Sequence, residues 1–530
     1  MKIKFLALAM IAMLFTACKP DPQPEGGEGS DPNKGEVENS YIAISLAAAN
    51  DRGDDDYVIG DAAERLVRSV HVFFFTDGEP FTGVTNPRNY QAIPIGENLG
   101  DDMPNISDIH ESVLVIEGHD GQLPNQMLAV INWQPAEETY SLEDLKDELV
   151  GHINTGGTLD GTLDGTFVMS NSVYKNEAGL VYATPLDITN FYTTGADAKE
   201  HPVKVYVERV AAKVIVKAND TEDHKFLLRT SKDDESPIVI NGKNVYAKII
   251  GWDLYNSYAE SNLVKNIEDY TIGINWNDPN NFRSYWATCN GNAALVNEVD
   301  YDALDEYYTH LYCGENTRGN DNASLRTKIF FKAQLQDEDD KAIEVARWFG
   351  NDYVGEENLL KAVKSTISNT YYYSVEGTTT TYESIKWDDL MTVAGGDGEN
   401  VQAYQVYFKL SEQGEAKTWY QLVNGKFQLV DDLNGELKKY ISPALLYKEG
   451  QTYYYTDIEH LKSASATTYG VVRNHIYDVT VKTISGLGTP VADKDITIEV
   501  PETPDEDAKT YLAAEINILS WRLVSNEVDL

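Results

Sequence analysis

Apolar and polar residues alternate along most of the chain, and at a period of two the positions i, i+2 and i+4 share one face of a strand. Residues 41–46 put Ile42, Ile44 and Leu46 on one such face, and the polar loop 50–56 follows. Residues 69–75 and 127–133 are nearly continuous in apolar side chains, which predicts strands central to a sheet; the first stops at the turn signal Thr76-Asp77-Gly78. Strict alternation from Val203 to Val210 runs on to Val216 and predicts one long strand or a bent pair. Further strands are expected over 245–250, 327–335, 402–410 and 419–427, the last folded at the hairpin dipeptide Asn424-Gly425. Helical spacing is confined to two places. Ser141 with Asp144 three residues on can cap a helix carrying Leu142, Leu145 and Leu149, and Leu359, Val363 and Ile367 lie four apart over 356–367. The pattern predicts a mainly β protein of short, sandwich-forming strands with few short helices.

The N-terminus reads differently. Lys2 and Lys4, the apolar run 5–15, and Ala17 before Cys18 form a bacterial lipoprotein signal over 1–17 that leaves Cys18 as a lipidated terminus. The run is shorter than the roughly 20 residues that span a bilayer. Residues 19–39, almost without side chains to bury, make a flexible tether. A chain of 530 residues exceeds one core, and Pro202 ahead of the alternating run sets an expected domain boundary near residue 200.

Charge narrows the function. With 43 basic against 85 acidic residues, the formal charge of −42 repels nucleic acid and anionic surfaces, which excludes nucleic-acid binding. No His-Glu-x-x-His, Gly-x-Ser-x-Gly or phosphate loop occurs, so no catalytic residues, cofactor or metal are expected, and the protein is read as a non-enzyme. The acidic runs 54–56 and 337–340 lack the alternating ligand spacing of a calcium loop. Arg52-Gly53-Asp54 resembles an integrin-binding tripeptide, a weak signal at three residues. Once Cys18 is lipidated, Cys289 and Cys313 are the only thiols left, and in an exporting compartment they are expected to form a disulfide. The 33 tyrosines, in runs such as 371–373 and 453–455, suit half-buried strands; a glycan-binding aromatic platform is the alternative.

The C-terminal segment 511–530 changes face twice. Leu512, Ala514, Ile516 and Ile518 share one side, Leu519, Trp521 and Leu523 the other, and Val524, Val528 and Leu530 return to the first, which predicts two short strands serving two surfaces.

Three segments together resemble the fimbrillins, lipoprotein-derived pilus subunits of Bacteroidales-type bacteria. They are Val207-Glu208-Arg209-Val210-Ala211-Ala212-Lys213-Val214, Tyr312-Cys313-Gly314-Glu315-Asn316-Thr317, and Tyr469-Gly470-Val471-Val472-Arg473-Asn474-His475-Ile476-Tyr477. The ending Ile518-Leu519-Ser520-Trp521-Arg522 with Glu527-Val528-Asp529-Leu530 looks like that of the structural subunit of a short fimbrium. The resemblance implies two transthyretin-like β-sandwich domains, here 53–200 and 201–530, and a shaft subunit of an adhesive pilus at the cell surface. It further implies an outer-membrane lipoprotein precursor whose tether and first strand, 18–52, are removed by an arginine-specific protease. Carried onto this chain, the cut falls after Arg52, the only basic residue between Lys34 and Arg65. The removable strand is then the one bearing Ile42, Ile44 and Leu46, and the donor strand is 511–530, with Leu512, Ile516, Ile518, Leu519, Trp521 and Leu523. The partners implied are further copies of the chain, accessory fimbrial subunits, the protease, and host or bacterial surface receptors. The other readings are an accessory or tip fimbrillin and a surface glycan-binding lipoprotein.

Overall fold

The structure is a computed structural model. It describes residues 39–49, 60–61, 63–82, 87–92, 106–117, 122–151, 153–154, 165–176, 178–218, 222–231, 234–267, 286–289, 294–320, 322–395, 401–460, 468–493, 511–519 and 523–524, with the backbone alone at 39–41, 45–49, 106–111, 117, 153–154, 511–519 and 523–524. The protein is mainly β, with few short helices.

The first sheet takes up β1 (Asn39–Ala49), β2 (Val70–Thr76), β3 (Ile106–Glu117), β4 (Gln126–Ile131), β5 (Met169–Asn171) and β6 (Val203–Arg209), in the spatial order β2-β4-β5-β6-β1-β3. The reason β2 and β4 read as unbroken apolar runs is visible in their packing. Val70, Val72 and Phe74 point into one core with Met127, Ala129 and Ile131, while Phe73, Phe75, Leu128 and Val130 point into another on the opposite face. Between β4 and β5 lies α1 (Leu142–Asp147), where Ser141 and Asp144 form the expected capping box; Leu149 has already left the helix for a short strand.

The alternating run that begins at Val203 is divided between two sheets. β6 ends at Arg209, and β7 (Ala212–Ala218) starts the next sheet, parallel to a late strand from Lys213↔Ile476 to Ala218↔Val481. A second layer is formed by β8 (Tyr246–Tyr255) and β9 (Lys328–Gln336), which pair antiparallel. Val214, Val216, Trp252, Phe331, Tyr454, Tyr477 and Val479 fill the core between the layers.

Residues 345–446 have a core of their own, a feature the sequence pattern did not suggest. It gathers Trp348, Leu359, Leu360, Val363, Ile367, Tyr371, Tyr373, Phe408 and Trp419. The helix α2 (Glu356–Ile367) turns its buried Leu359, Leu360, Val363 and Ile367 to it. A small antiparallel sheet closes it, made of β10 (Tyr371–Val375), β11 (Thr381–Ser384), β12 (Trp419–Val423) and β13 (Lys426–Leu429), in the order β11-β10-β12-β13. Asn424 and Gly425 turn this hairpin at φ of 50° and 76°, the left-handed pair that the dipeptide favours.

The chain then returns as β14 (Gln451–Asp457) beside β9, as β15 (Ile476–Ser485) beside β7, and as β16 (Tyr511–Leu519) along β15. Of the tyrosine runs, Tyr371, Tyr373, Tyr453 and Tyr454 are buried.

The expected disulfide is absent: Cys289 and Cys313 are both free thiols. Pairing of the short strand Leu311–Cys313 with β7 sets Cys313 opposite Ala212 and sends its side chain into the sandwich core. Cys289 is occupied elsewhere, its thiol donating to the Glu315 carbonyl at 3.1 Å and accepting from the Thr317 amide at 3.2 Å.

Candidate functional site

The strand β1 lies inside the first sheet and not at its edge. On one side it runs parallel to β6, from Ile44↔Val203 to Ala48↔Val207. On the other it runs antiparallel to β3, from Asn39↔Glu117, with a bulge between Ala47 and Ala49. Ile42 and Ile44 are fully buried in the core that also holds Leu114, Ile116, Val205 and Val207. The backbone of Leu46 continues the ladder, opposite Val205 and His110. Withdrawing β1 would open a slot one strand wide, unpairing the facing backbones of both β6 and β3 and uncovering an apolar row.

Cys18, Arg52 and Trp521 lie outside the described residues. Downstream of Arg52 in sequence, the chain is pinned at Glu64. The Glu64 carbonyl accepts from Arg209 Nε at 2.7 Å, and its carboxylate accepts from Lys213 Nζ at 2.6 Å, the Asp61 amide at 2.9 Å and the Tyr312 hydroxyl. Burial pushes this carboxyl up, but the hydrogen bonds from Lys213 and Tyr312 outweigh it and hold Glu64 below its ordinary value.

The three sequence motifs converge next to this anchor, at the joint between the two sheets. Arg473, wholly buried, pairs with Glu315 at 2.6 Å and donates to the Asn262 and Leu263 carbonyls at 2.5 and 3.1 Å. Lys265 pairs with Glu208 at 2.9 Å, both buried; burial pushes the lysine pKa down, against the pull of Glu208. Arg209 reaches Asn474 at 3.2 Å, and the Asn474 amide donates to the Ala211 carbonyl at 2.5 Å. Sequence reading found these motifs by resemblance but missed what they do. The available signal was charge inside otherwise apolar strand runs, as at Glu208, Arg209 and Lys213.

The predicted donor segment is docked on its own sheet. β16 runs antiparallel along β15, from Ile476↔Leu519 to Ser485↔Tyr511, so Leu512, Ile516, Ile518 and Leu519 all lie in it. Leu523 belongs to a short return strand, Leu523–Val524, paired with Leu519. The structure therefore brings Ile42, Ile44 and Leu46 into one slot and the described donor residues onto another edge, without joining the two places. Among the described residues, no group of three or more His, Cys, Asp or Glu is poised to hold an ion. In the acidic run 337–340, Asp337 instead pairs with Lys243 at 2.6 Å and accepts from the Asp339 and Lys341 amides.

Comparison with known proteins points the same way as the motifs. Residues 445–527 match the family model "Major fimbrial subunit protein type IV, Fimbrillin, C-terminal", a span that includes Tyr469 to Tyr477 and all of β15 and β16. The resemblance to the fimbrillins is thus shown, on this C-terminal part. No curated protein matches the chain. Among solved structures, a fimbrilin of Porphyromonas gingivalis is 11% identical, covering 91% of this chain and 99% of that one with a TM-score of 0.31. The tip fimbrial protein of the same organism, with a C-terminal truncation, is 12% identical over 90% of this chain and 99% of that one, with a TM-score of 0.28. A fimbrial assembly protein of Parabacteroides distasonis is 12% identical over 60% of this chain and 85% of that one, with a TM-score of 0.27.

Proposed function

We propose that this protein is a structural shaft subunit of an adhesive fimbria. It is exported as a lipoprotein anchored through Cys18 to the outer membrane, cut after Arg52 by an arginine-specific protease, and polymerised by exchange of strands. The observation that carries this reading is the position of β1: a strand that fills the interior of a sheet, between β6 and β3, immediately before the predicted cleavage site. An ordinary first strand at an edge leaves a sheet whole when it is lost. Loss of β1 leaves a slot that another strand must fill.

The strand to fill it comes from β16 of a neighbouring copy. β16 has 9 residues against the 11 of β1 and alternates Leu512, Ala514, Ile516 and Ile518 as β1 alternates Ile42, Ile44 and Leu46. The three large side chains of that face, Leu512, Ile516 and Ile518, buried at roughly 1.5–3 kcal/mol each, give a gross gain on the order of 5–9 kcal/mol, against which the cost of association and of leaving β15 must be set. The uncut chain keeps both strands at home and stays monomeric.

The test is to treat purified full-length precursor with an arginine-specific protease and run it unboiled on a gel. A ladder of oligomers is expected from the wild type, and only monomer from Arg52→Ala. Normal ladders from Arg52→Ala would place the switch elsewhere.

A further inference from the structure

We propose that the outer face of the small sheet β10–β13 is a binding face for neutral oligosaccharides. Strand register sorts its residues without ambiguity. Tyr371, Tyr373 and Trp419 point inward to the core of 345–446. The opposite face carries Tyr372 beside Ser384 and Tyr420, Ser374 beside Tyr382, Leu429 beside Tyr420, and Leu422 beside Phe427.

Two properties set this face apart. It is aromatic, and its rings form one cluster: Tyr382 stacks on Phe427 with centroids 3.9 Å apart, while Tyr372 meets Phe427 at 5.2 Å and Tyr420 meets Tyr382 at 5.0 Å, both edge-on. Rings from the two outer strands thus close over those of the two inner strands and leave a rigid platform. The face is also without charge at all eight positions, in a chain where 24% of residues are charged.

These properties decide the occupant. An anion laid on the platform would lose water with no counter-charge to replace it, and a cation would have only the ring faces to set against its desolvation, a cost a neutral ligand does not incur. A second copy of the chain needs more surface. Exposed fractions of 37%, 38% and 59% at Tyr382, Phe427 and Leu429, the most exposed of the eight, put on the order of 300 Å² of surface at these three side chains, against the ~800 Å² per partner of a stable protein interface. That area suits one face of a short sugar chain, whose axial C–H groups lie on aromatic rings while its hydroxyls need partners around them. Partners are present: among the described residues, the hydroxyls of Tyr372, Tyr382 and Tyr420 are bonded to no other group of the protein. Lys386 and Lys417 sit over Tyr373 on the inner side and leave the outer rings clear.

The face belongs to the folded chain whether or not it polymerises, so its test is separate from that of assembly. The full-length monomer is titrated calorimetrically with maltotetraose, cellotetraose and lacto-N-tetraose as neutral probes, and with sialyllactose and tetralysine as charged ones. At least one neutral probe is expected to bind with a dissociation constant of about 1 mM or tighter. Phe427→Leu and Tyr382→Leu should each weaken it at least tenfold with an unchanged unfolding temperature, while Tyr440→Ala, exposed and off the face, should not. Leu429→Gln, at a side chain that carries little packing, repeats the reading should either ring variant fail to fold. No neutral binding at about 10 mM, stronger binding of a charged probe, unchanged binding in the face variants, or dimerisation through the face would each overturn the proposal.

Discussion

Arg473 and Glu315 form an ion pair of 2.6 Å that is closed to solvent and ties the return toward β15 to the segment following Leu311–Cys313. With Lys265 and Glu208 a few residues away, two such pairs sit at the joint between the sheets. Buried pairs are weak sources of net stability, but removing one partner leaves an uncompensated charge. Arg473→Met should therefore cost about 3–5 kcal/mol, read as a lowered denaturant midpoint. The double variant Arg473→Met, Glu315→Leu should recover a large part of that loss. Two additive losses would show that the residues do not act on one another.

Much of what is local was legible. The capping box at Ser141 and Asp144, the hairpin at Asn424-Gly425, and the helix carrying Leu359, Val363 and Ile367 each depend on neighbours within a few residues, and each stands where the pattern placed it. What depends on distant partners was not legible. Nothing within 203–216 tells that Val207 and Val214 serve different sheets, because alternation fixes which way a side chain points and not which strand lies alongside. The core of 345–446 escaped notice for the same reason: the helix was legible, but not which strands, as far on as Phe408 and Trp419, pack on it. At the candidate site, Ile42 and Ile44 were recognised as one buried face, but the interior position of β1 required its partners β3 and β6.

The two thiols offer a direct check on the corrected cysteine assignment. Burial pushes Cys289 and Cys313 up to about 12, so neither is expected to react with a thiol reagent in the native protein near neutral pH. Unfolding the mature chain without reductant should release two reactive thiols. Recovery of none would restore the disulfide.

Glu64 predicts a pH dependence. Its folded pKa is depressed by Lys213 and Tyr312, so the stability it contributes is complete above the unfolded carboxylate value, about 4.3, and is lost as pH falls through the lower folded value. The gap in unfolding temperature between wild type and Glu64→Gln should thus be widest from about pH 5 to 7 and narrow below about pH 4. A gap independent of pH would mean that the ionised form is not the one anchored.

Phe349 turns the hairpin between Val345–Trp348 and Asn351–Val354 at φ of 47° while 70% exposed. Left-handed backbone is unfavourable for a bulky side chain, and Gly350 follows at φ of 72°, the pair of angles for which Asn-Gly is best suited. Phe349→Asn should stabilise by about 0.5–1 kcal/mol, visible as a rise in unfolding temperature. A lower temperature would show that the ring packs on Trp348, 4.7 Å away, more than its exposure suggests.

Amide exchange can follow both strands through assembly. In the precursor, β1 protects β3, and β16 protects one side of β15. Cleavage that frees β1 should raise exchange over Ile106–Glu117 and on the β1 side of β6, since those amides lose their partners. Insertion of a neighbour's β16 should restore that protection. The same insertion removes β16 from its own domain, so exchange over Ile476–Ser485 should rise on polymerisation and not on cleavage alone, with the β7 side of β15 unaffected. A truncated chain lacking 511–530 should show the fast β15 exchange from the start, and after cleavage it should remain a monomer with β3 unprotected. If β15 stays protected in the polymer, the incoming strand is not Tyr511–Leu519, and another segment closes the slot.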